Sequence, residues 1–359
     1  MRMLLLAVGA LAGLGISAQV PAVLSPEAFV RIVLENHPMA KQAALRPELG
    51  EATVRSARGG FDPVATANYD EKRFDEKNYF QLFDAGLKVP TWYGVELYAG
   101  YQENSGDLLD PQAFTPNDGL LKAGGRISVG QGLFIDQRRA TLRKSQAYLR
   151  ATQAEQEQML NDLLLQALSD HTDWVAAYRT LEVSNSAVDL ANARLDNVRG
   201  GWRGGDRPAI DTLEAYLQLQ DRQMRQQQAS LSVRNAGLRL SNHMWNAAQQ
   251  PLELQPGVIP DPVDLSSPAT FQFADTAIAN AVANHPLLTQ AGARIDQLEI
   301  DRRLRNEYLK PELDLKYQWL GSGGALNNEQ GTTFLGDGYQ FGVGFQVPLF
   351  LRRERGELT

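Results

Sequence analysis

The chain has no cysteine. That excludes a disulfide framework and every thiolate metal site, and it suits the oxidising periplasm, where a stray thiol is a liability. Long apolar runs are missing too. Beyond the first eighteen residues nothing reaches the roughly 18 consecutive apolar residues of a membrane-crossing helix, so any membrane span in the mature protein must be built from strands. There is no surplus of positive charge: the net charge is -7, which leaves no basic footprint for nucleic acid. Histidine occurs only as His37, His171, His243 and His285. His37 and His285 read as helix-start residues and His171 lies in a helical arm near Trp174, so each is expected to be structural and not a ligand. The glycine clusters Gly200 to Gly205 and Gly321 to Gly324 lack the Lys-Ser or Lys-Thr of a phosphate-binding loop. No catalytic constellation, metal site or cofactor is expected, and no enzyme activity.

What is present begins with MRMLLLAVGALAGLGISA, in which Arg2 precedes an unbroken apolar run that ends on Ser17 and Ala18. This reads as a cleavable export signal with the mature chain starting near Gln19, and no lipobox cysteine follows it. At 359 residues and 43% hydrophobic content the remainder can fill two domains with buried cores.

An internal repeat organises the sequence. Asn36, His37 and Pro38 align with Asn284, His285 and Pro286, an offset of 285 minus 37, or 248. The same offset pairs Gln42 with Gln290, Ala43 with Ala291, Glu51 with Glu299, Arg55 with Arg303, Pro63 with Pro311 and Tyr69 with Tyr317, without a gap. Each copy reads as a helix that begins at Asn-His-Pro and stops before a proline that opens an extended segment.

The extended segments alternate with period two. Leu313, Leu315, Tyr317 and Trp319 interleave with Asp314, Lys316 and Gln318; Tyr339, Phe341, Val343, Phe345, Val347 and Leu349 interleave with Gln340, Gly342, Gly344 and Gln346. One face is oily and the other wet. The oily face points to a core in a soluble sandwich and to lipid in a membrane barrel; the export signal and the aromatics at strand ends favour the barrel. The first copy carries four such runs, near Val64 to Phe74 and Phe83 to Val89, through Val95, Leu97, Ala99 and Tyr101, and through Leu121, Ala123, Ile127, Val129 and Leu133. A polar loop from Asn104 to Gly119 separates the last two.

Between the copies lies helical material, from Gln137 to Val198 and from about Ala209 to Ala248. Leu160, Ala167, Trp174, Leu181, Val188 and Leu195 recur every seventh residue in the first arm; Ile210, Leu217, Met224, Leu231, Leu238 and Trp245 do so in the second. Such a period predicts two helices packed along their length as a coiled coil. The arms meet at Arg199 to Pro208, where glycines end one helix and proline suits the start of the next. Pro251, Pro256, Pro260, Pro262 and Pro268 mark a linker leading back to the second copy.

This order, with the repeat and with Gly205, Asp211, Leu213 and Ala215 at the tip, resembles the TolC-like outer membrane efflux family. The expected fold class is α+β: a long antiparallel coiled-coil hairpin plus antiparallel strands contributing to a trimeric transmembrane β-barrel. The expected partition is a signal peptide at 1–18, first-repeat helices at 19–60, a strand block at 61–136, the helical hairpin at 137–248 with its tip near 199–208, and a Pro-rich linker at 249–270. Second-repeat helices at 271–309, a β-hairpin at 310–351, and the start of a second helical hairpin at 352–359 complete it. The resemblance implies an outer membrane channel protomer of a tripartite efflux or type I secretion system, working as a homotrimer in outer membrane lipid with a periplasmic helical extension. It also implies a periplasmic adaptor and an inner membrane pump as partners. Adaptor docking would fall on the tip residues Arg203, Gly204, Gly205, Asp206, Arg207 and Asp211. In the family a second long hairpin follows the second strand pair, on the order of 100 residues by the helical rise, and the chain is therefore expected to be a fragment. The family supplies two strands per repeat and twelve per trimer, whereas six are readable here; the extra hairpin is expected to project beyond the barrel, the other reading being a wall of eighteen. The competing class is an exported coiled-coil adaptor or structural protein of the cell envelope with a soluble β domain.

Overall fold

A computed structural model of the chain describes residues 22–261, 275–322, 338–347 and 349–358. The predicted export signal, Pro262, Pro268, Gly323 and Gly324 lie outside these residues. The chain divides into two compact units, Met1–Leu45 with Gln156–Ala279, and Arg46–Glu155 with Asn280–Thr359.

The first unit is helical. A short strand β1 (Val23–Leu24) leads to helix α1 (Pro26–Asn36), which Ser25 caps: its Oγ accepts from the Ala28 N–H at 3.2 Å, and Pro26 occupies the first turn. A hydroxyl acceptor at the cap and a proline where no N–H is needed are the residues a helix start requires. His37 then adopts extended backbone and Pro38 opens α2 (Pro38–Arg58). The two arms are α3 (Gln137–Arg203) and α4 (Ala209–Ser241). With 67 residues, α3 is about 100 Å long at ~1.5 Å per residue. Leu163, Ala167 and Trp174 of α3, Ala236 and Leu240 of α4, Phe29 and Val33 of α1, Leu24 and Met244 form one buried cluster. A second, nearer the tip, joins Val188, Leu195 and Val198 to Ala215 and Leu219.

Of the first arm's heptad, Ala167, Trp174, Val188 and Leu195 are buried and Leu160 and Leu181 half-buried, whereas the heptad of the second arm is turned outward. Ile210, Leu217, Met224, Leu231 and Leu238 are each more than half exposed, and α4 instead meets α3 through Ala215, Leu219, Ala229, Ala236 and Leu240. Small residues let the two backbones approach, so the bulky stripe is turned outward. Nor does α4 continue to Ala248. It ends at Ser241, whose Oγ donates to the Gly237 carbonyl (2.8 Å) and accepts from the Leu254 N–H (2.9 Å), drawing the following chain back along the helix. Trp245 therefore lies beyond the helix, bridged to Pro251. The described part of the Pro-rich stretch packs Leu252, Leu254 and Val258 on the core and ends in β6 (Ile259–Pro260), parallel to β1.

The second unit is built on one antiparallel sheet of β2 (Val64–Phe74), β3 (Lys77–Pro90), β4 (Val95–Ser105), β5 (Leu120–Gly130), β7 (Glu312–Ser322) and β8 (Tyr339–Gln346), in that order. The 248-residue offset carries the bounds of β2 onto those of β7. The extra hairpin expected to project away is part of the same sheet: β2 pairs with β3 through a two-residue turn, and β3 pairs with β4 from Gln81 to Pro90. Leu133 falls outside, since β5 ends at Gly130. Beside the sheet, α2 crosses α3 where Gly50 lies against Thr152 and Leu149; a Cβ there would sit 2.4 Å from the Thr152 Oγ1, so only glycine permits the approach. Helices α5 (Asp275–Ala283) and α6 (Pro286–Tyr308) follow, and α7 (Arg352–Leu358) closes the described chain. Leu304 of α6 packs with Ile135 and Ala140, and Lys144–Asp301 (2.8 Å) joins α3 to α6.

Candidate functional site

The strand register makes the sheet two-sided across all six strands. On one side lie Ala65, Ala67 and Tyr69 of β2; Phe83, Leu87 and Val89 of β3; Val95, Leu97, Ala99 and Tyr101 of β4; Leu121, Ile127 and Val129 of β5; Leu313, Leu315, Tyr317 and Trp319 of β7; and Tyr339, Phe341, Val343 and Phe345 of β8. This side is open: Phe345 is 68% exposed, and no second sheet layer covers it among the described residues. Tyr101, Trp319 and Tyr339 lie near the same end of the sheet, with Tyr317 and Tyr339 stacked at 6.2 Å. Most strands have eleven residues, within the about 9–11 that a tilted strand needs to cross a bilayer.

The opposite side is charged and small. Lys88 lies 2.9 Å from Glu96, which also takes Arg138 at 2.7 Å; Lys122 reaches Asp84 at 3.2 Å; Arg126 pairs with Asp314. Gly86, Gly100, Gly124, Gly342 and Gly344 fill positions between these groups. Arg139, at the turn from sheet to α3, donates to the carbonyls of Gly132, Leu133 (3.0 Å) and Phe134 (3.3 Å) while its Nε meets Asp136 at 3.2 Å. The Leu133-Phe134 and Arg138-Arg139 pairs stand out in sequence, but the staple they form depends on how the chain folds back.

At the hairpin tip, helix α3 runs through Gly200 and Gly201 to Arg203, later than the glycine cluster suggested. Gly205 ends it, at φ +80°: its N–H donates to the Trp202 carbonyl (3.1 Å) and the Asp206 N–H to that of Gly201 (2.9 Å). This 6→1 and 5→2 pair closes helices that stop on a left-handed residue. The Arg207 side chain lies over Gly201, Pro208 starts α4, and the Asp211 N–H donates to the Pro208 carbonyl at 3.2 Å. The tip thus brings Arg203, Gly204, Gly205, Asp206 and Arg207 into one turn, with Asp211 in the first turn of α4 and Trp202, Ile210 and Leu213 exposed beside them. Gly205→Ala is expected to cost about 1 kcal/mol, the strain of a Cβ at positive φ, seen as a lower urea midpoint with unchanged helix content.

The histidines divide as a structural role requires. The Nδ1 atoms of His37 and His285 accept from the N–H groups two residues on, Met39 (3.1 Å) and Leu287 (3.2 Å), so the repeat extends to its capping hydrogen bonds. His243 Nε2 lies 2.7 Å from Asp170 Oδ2. Burial alone would raise Asp170; the hydrogen bonds from His243 and Gln166 and the nearby charges outweigh it and hold the carboxyl below its ordinary value of 3.8. His171 stacks on Phe29 at 5.3 Å. Its burial lowers its pKa below the ordinary 6.5, against the opposing influence of the Leu24 backbone and Glu27; His37 is lowered by burial and then by His243, whose ring is 6.1 Å away. As pH falls past 6.5 the unfolded chain binds these protons before the folded one does, so stability is full above about pH 7 and declines below 6.5. Thermal midpoints from pH 7.5 to 5.5 are expected to fall in the wild type and to flatten in a His37→Asn, His171→Phe double variant, which keeps the cap and the ring stack. An equally steep decline in that variant would place the acid sensitivity elsewhere. No group of three or more His, Asp or Glu side chains is arranged to hold a metal among the described residues.

A sheet with one open apolar side and one charged side, joined in the same chain to a long helical hairpin and duplicated, is the fold of the TolC-like outer membrane factors. No known family model and no curated protein sequence matches the chain. Among solved structures it is similar to the outer membrane protein VceC of Vibrio cholerae, with a TM-score of 0.54 at 14% identity, covering 93% of this chain and 71% of that one. A membrane protein from Pseudomonas aeruginosa gives 0.51 at 15% identity, over 93% of this chain and 69% of the other. The open state of the Neisseria gonorrhoeae MtrE outer membrane channel gives 0.50 at 13% identity, over 95% and 69%. These likenesses establish the fold.

Proposed function

We propose that this chain is a protomer of an outer membrane efflux channel, a conduit and not an enzyme, in which three copies close their sheets into one barrel. The observation that carries the reading is the open apolar side, continuous over six strands and backed by a charged, glycine-rich one. In water such a surface calls for a partner layer; in lipid it is the outer surface of a barrel, and its reverse lines a water-filled passage. The strand edges support closure by neighbours. β2 and β8 are the two edges, and lipid tolerates no open edge. Because six strands alternate in direction, β8 of one copy meets β2 of the next antiparallel, and three copies give a closed wall of eighteen strands. The outward stripe Ile210, Leu217, Met224, Leu231 and Leu238 on α4 is then covered by a helix of a neighbouring copy. The tip residues Arg203 to Arg207 and Asp211 form the end that docks a periplasmic adaptor linked to an inner membrane pump, and solutes pass from periplasm to exterior unchanged.

Extraction of the full-length gene product from outer membranes in mild detergent, followed by mass measurement and planar-bilayer recording, tests this reading. A trimer with stepwise conductance is the expected result; a water-soluble monomer without conductance would contradict it.

A further inference from the structure

We propose that the charged side of the sheet holds a station for an oxyanion group, carboxylate or phosphate, of the solute in transit; this rests on that side lining the passage. The register places Arg126 of β5 directly opposite Lys316 of β7. Like charges in that position oppose strand pairing, so their juxtaposition has to be explained. Both border a hollow of about 400 Å³ that Lys88 and Lys122 also line.

With Arg138, which also reaches Glu96, these four cations make five against four anions, Asp84, Glu96, Glu312 and Asp314. Asp84 is taken by Lys122, with the Tyr98 hydroxyl donating to it at 3.5 Å. Glu96 is shared between Lys88 and Arg138, which comes from outside the hollow. Arg126 turns towards Asp314 and Glu312, away from Lys316. Lys316 has no ion-pair partner among the described residues. Gly342, its neighbour on β8, has no side chain to stand between it and solvent.

A second, independent observation concerns Gln318. Its side chain lines the same hollow, and the residue is only 6% exposed. Gln340 lies directly opposite on β8 and lines the hollow as well. Lys316 and the two amides therefore offer N–H donors around one space where positive charge exceeds negative. Oxyanions fit such a donor set, because charge-assisted hydrogen bonds from ammonium and amide groups suit carboxylate and phosphate oxygens. A cation would meet the ammonium groups. In a passage the binding has to be weak enough for release, and an open hollow on a wall, with one unpaired lysine, meets that requirement.

The test uses the full chain in planar bilayers. Inorganic phosphate, and benzoate in a parallel arm, are added to wild-type channels and the half-blocking concentration is read. Block by either anion, with the half-blocking concentration raised about tenfold in Lys316→Gln by loss of one charge-assisted hydrogen bond, is the expected result. Gln318→Leu is expected to raise it severalfold while leaving the chloride-to-potassium permeability ratio unchanged. Lys316→Gln removes a like-charge pair, so the sheet is expected to fold as before, and Lys41→Gln, in the helical unit, serves as the control for net charge. Wild-type channels insensitive to both anions, or equal block in wild type and Lys316→Gln, would overturn the station and leave the conduit standing. Absence of conductance in every variant would instead remove the lumen reading on which it rests.

Discussion

Trp174→Ala is expected to lower the stability of the helical unit by about 3–5 kcal/mol, the range for emptying a large buried aromatic site. Trp174 is 1% exposed and packs in one cluster with residues of α1, α2, α3, α4 and the chain beyond α4. Its removal opens a void that α3 and α4 cannot both collapse into, since α3 is held on either side by Ala167 and by the tip-side cluster of Val188 and Leu195. The measurement is urea unfolding followed by circular dichroism. The midpoint is expected to fall steeply, while Leu231→Ala, on the outward stripe of α4, changes the stability of the isolated chain by far less. A comparable loss at Leu231 would return that stripe to the seam between the two arms.

Leu315→Arg is expected to prevent stable insertion. Leu315 lies in the middle of the apolar side, opposite Ile127 on β5 and Val343 on β8. A charged residue on the lipid side of a barrel costs about 2–4 kcal/mol at the bilayer midplane, and a trimer bears it three times. The expected outcome is loss of the proposed trimer and of the outer membrane fraction. Lys316→Gln, one residue on and facing the opposite side, is expected to leave both unchanged. Two such neighbours with opposite outcomes cannot be explained by β-propensity or by proximity in sequence. The side of the sheet differs, as does the charge that each substitution adds or removes.

The strands were largely legible because period two is a local property. The run read from Val64 to Phe74 is β2 to the residue, and the repeat offset carried it onto β7. The fold class followed from the same alternation together with the long helical arms. The second arm was misread for a definite reason. A stripe of Ile210, Leu217, Met224, Leu231 and Leu238 says that a helix has an apolar face, not which helix covers it. The true seam of α4 sets Ala215, Ala229 and Ala236 among Leu219 and Leu240; the alanines' low hydrophobicity hides them beside the larger stripe, and their small size permits close packing.

The wall chemistry could not be read in advance. Which cation meets which anion depends on pairing Arg126 with Lys316, and hence β5 with β7, residues 190 positions apart by the difference of their numbers. Such register is set by the whole sheet. At the tip the position of the turn was legible, but which glycine ends the helix was not; of the tip glycines only Gly205 has the positive φ that stops it. The additional hairpin was expected, from a strand count, to project beyond the barrel; hydrogen bonding of β3 to β4 from Gln81 to Pro90 makes it part of the one sheet.

The absence of cysteine makes the decisive measurement clean, since any thiol introduced is the only one in the chain. Single cysteines at Leu315 and Phe341 on one side, and at Ser128 and Gln340 on the other, are to be challenged in intact outer membranes with a membrane-impermeant maleimide. Labelling at Ser128 and Gln340, with Leu315 and Phe341 protected until the membrane is dissolved, is the expected result. Free labelling of Leu315 and Phe341, or their protection in a soluble monomer, would contradict a sheet that faces lipid with its apolar side.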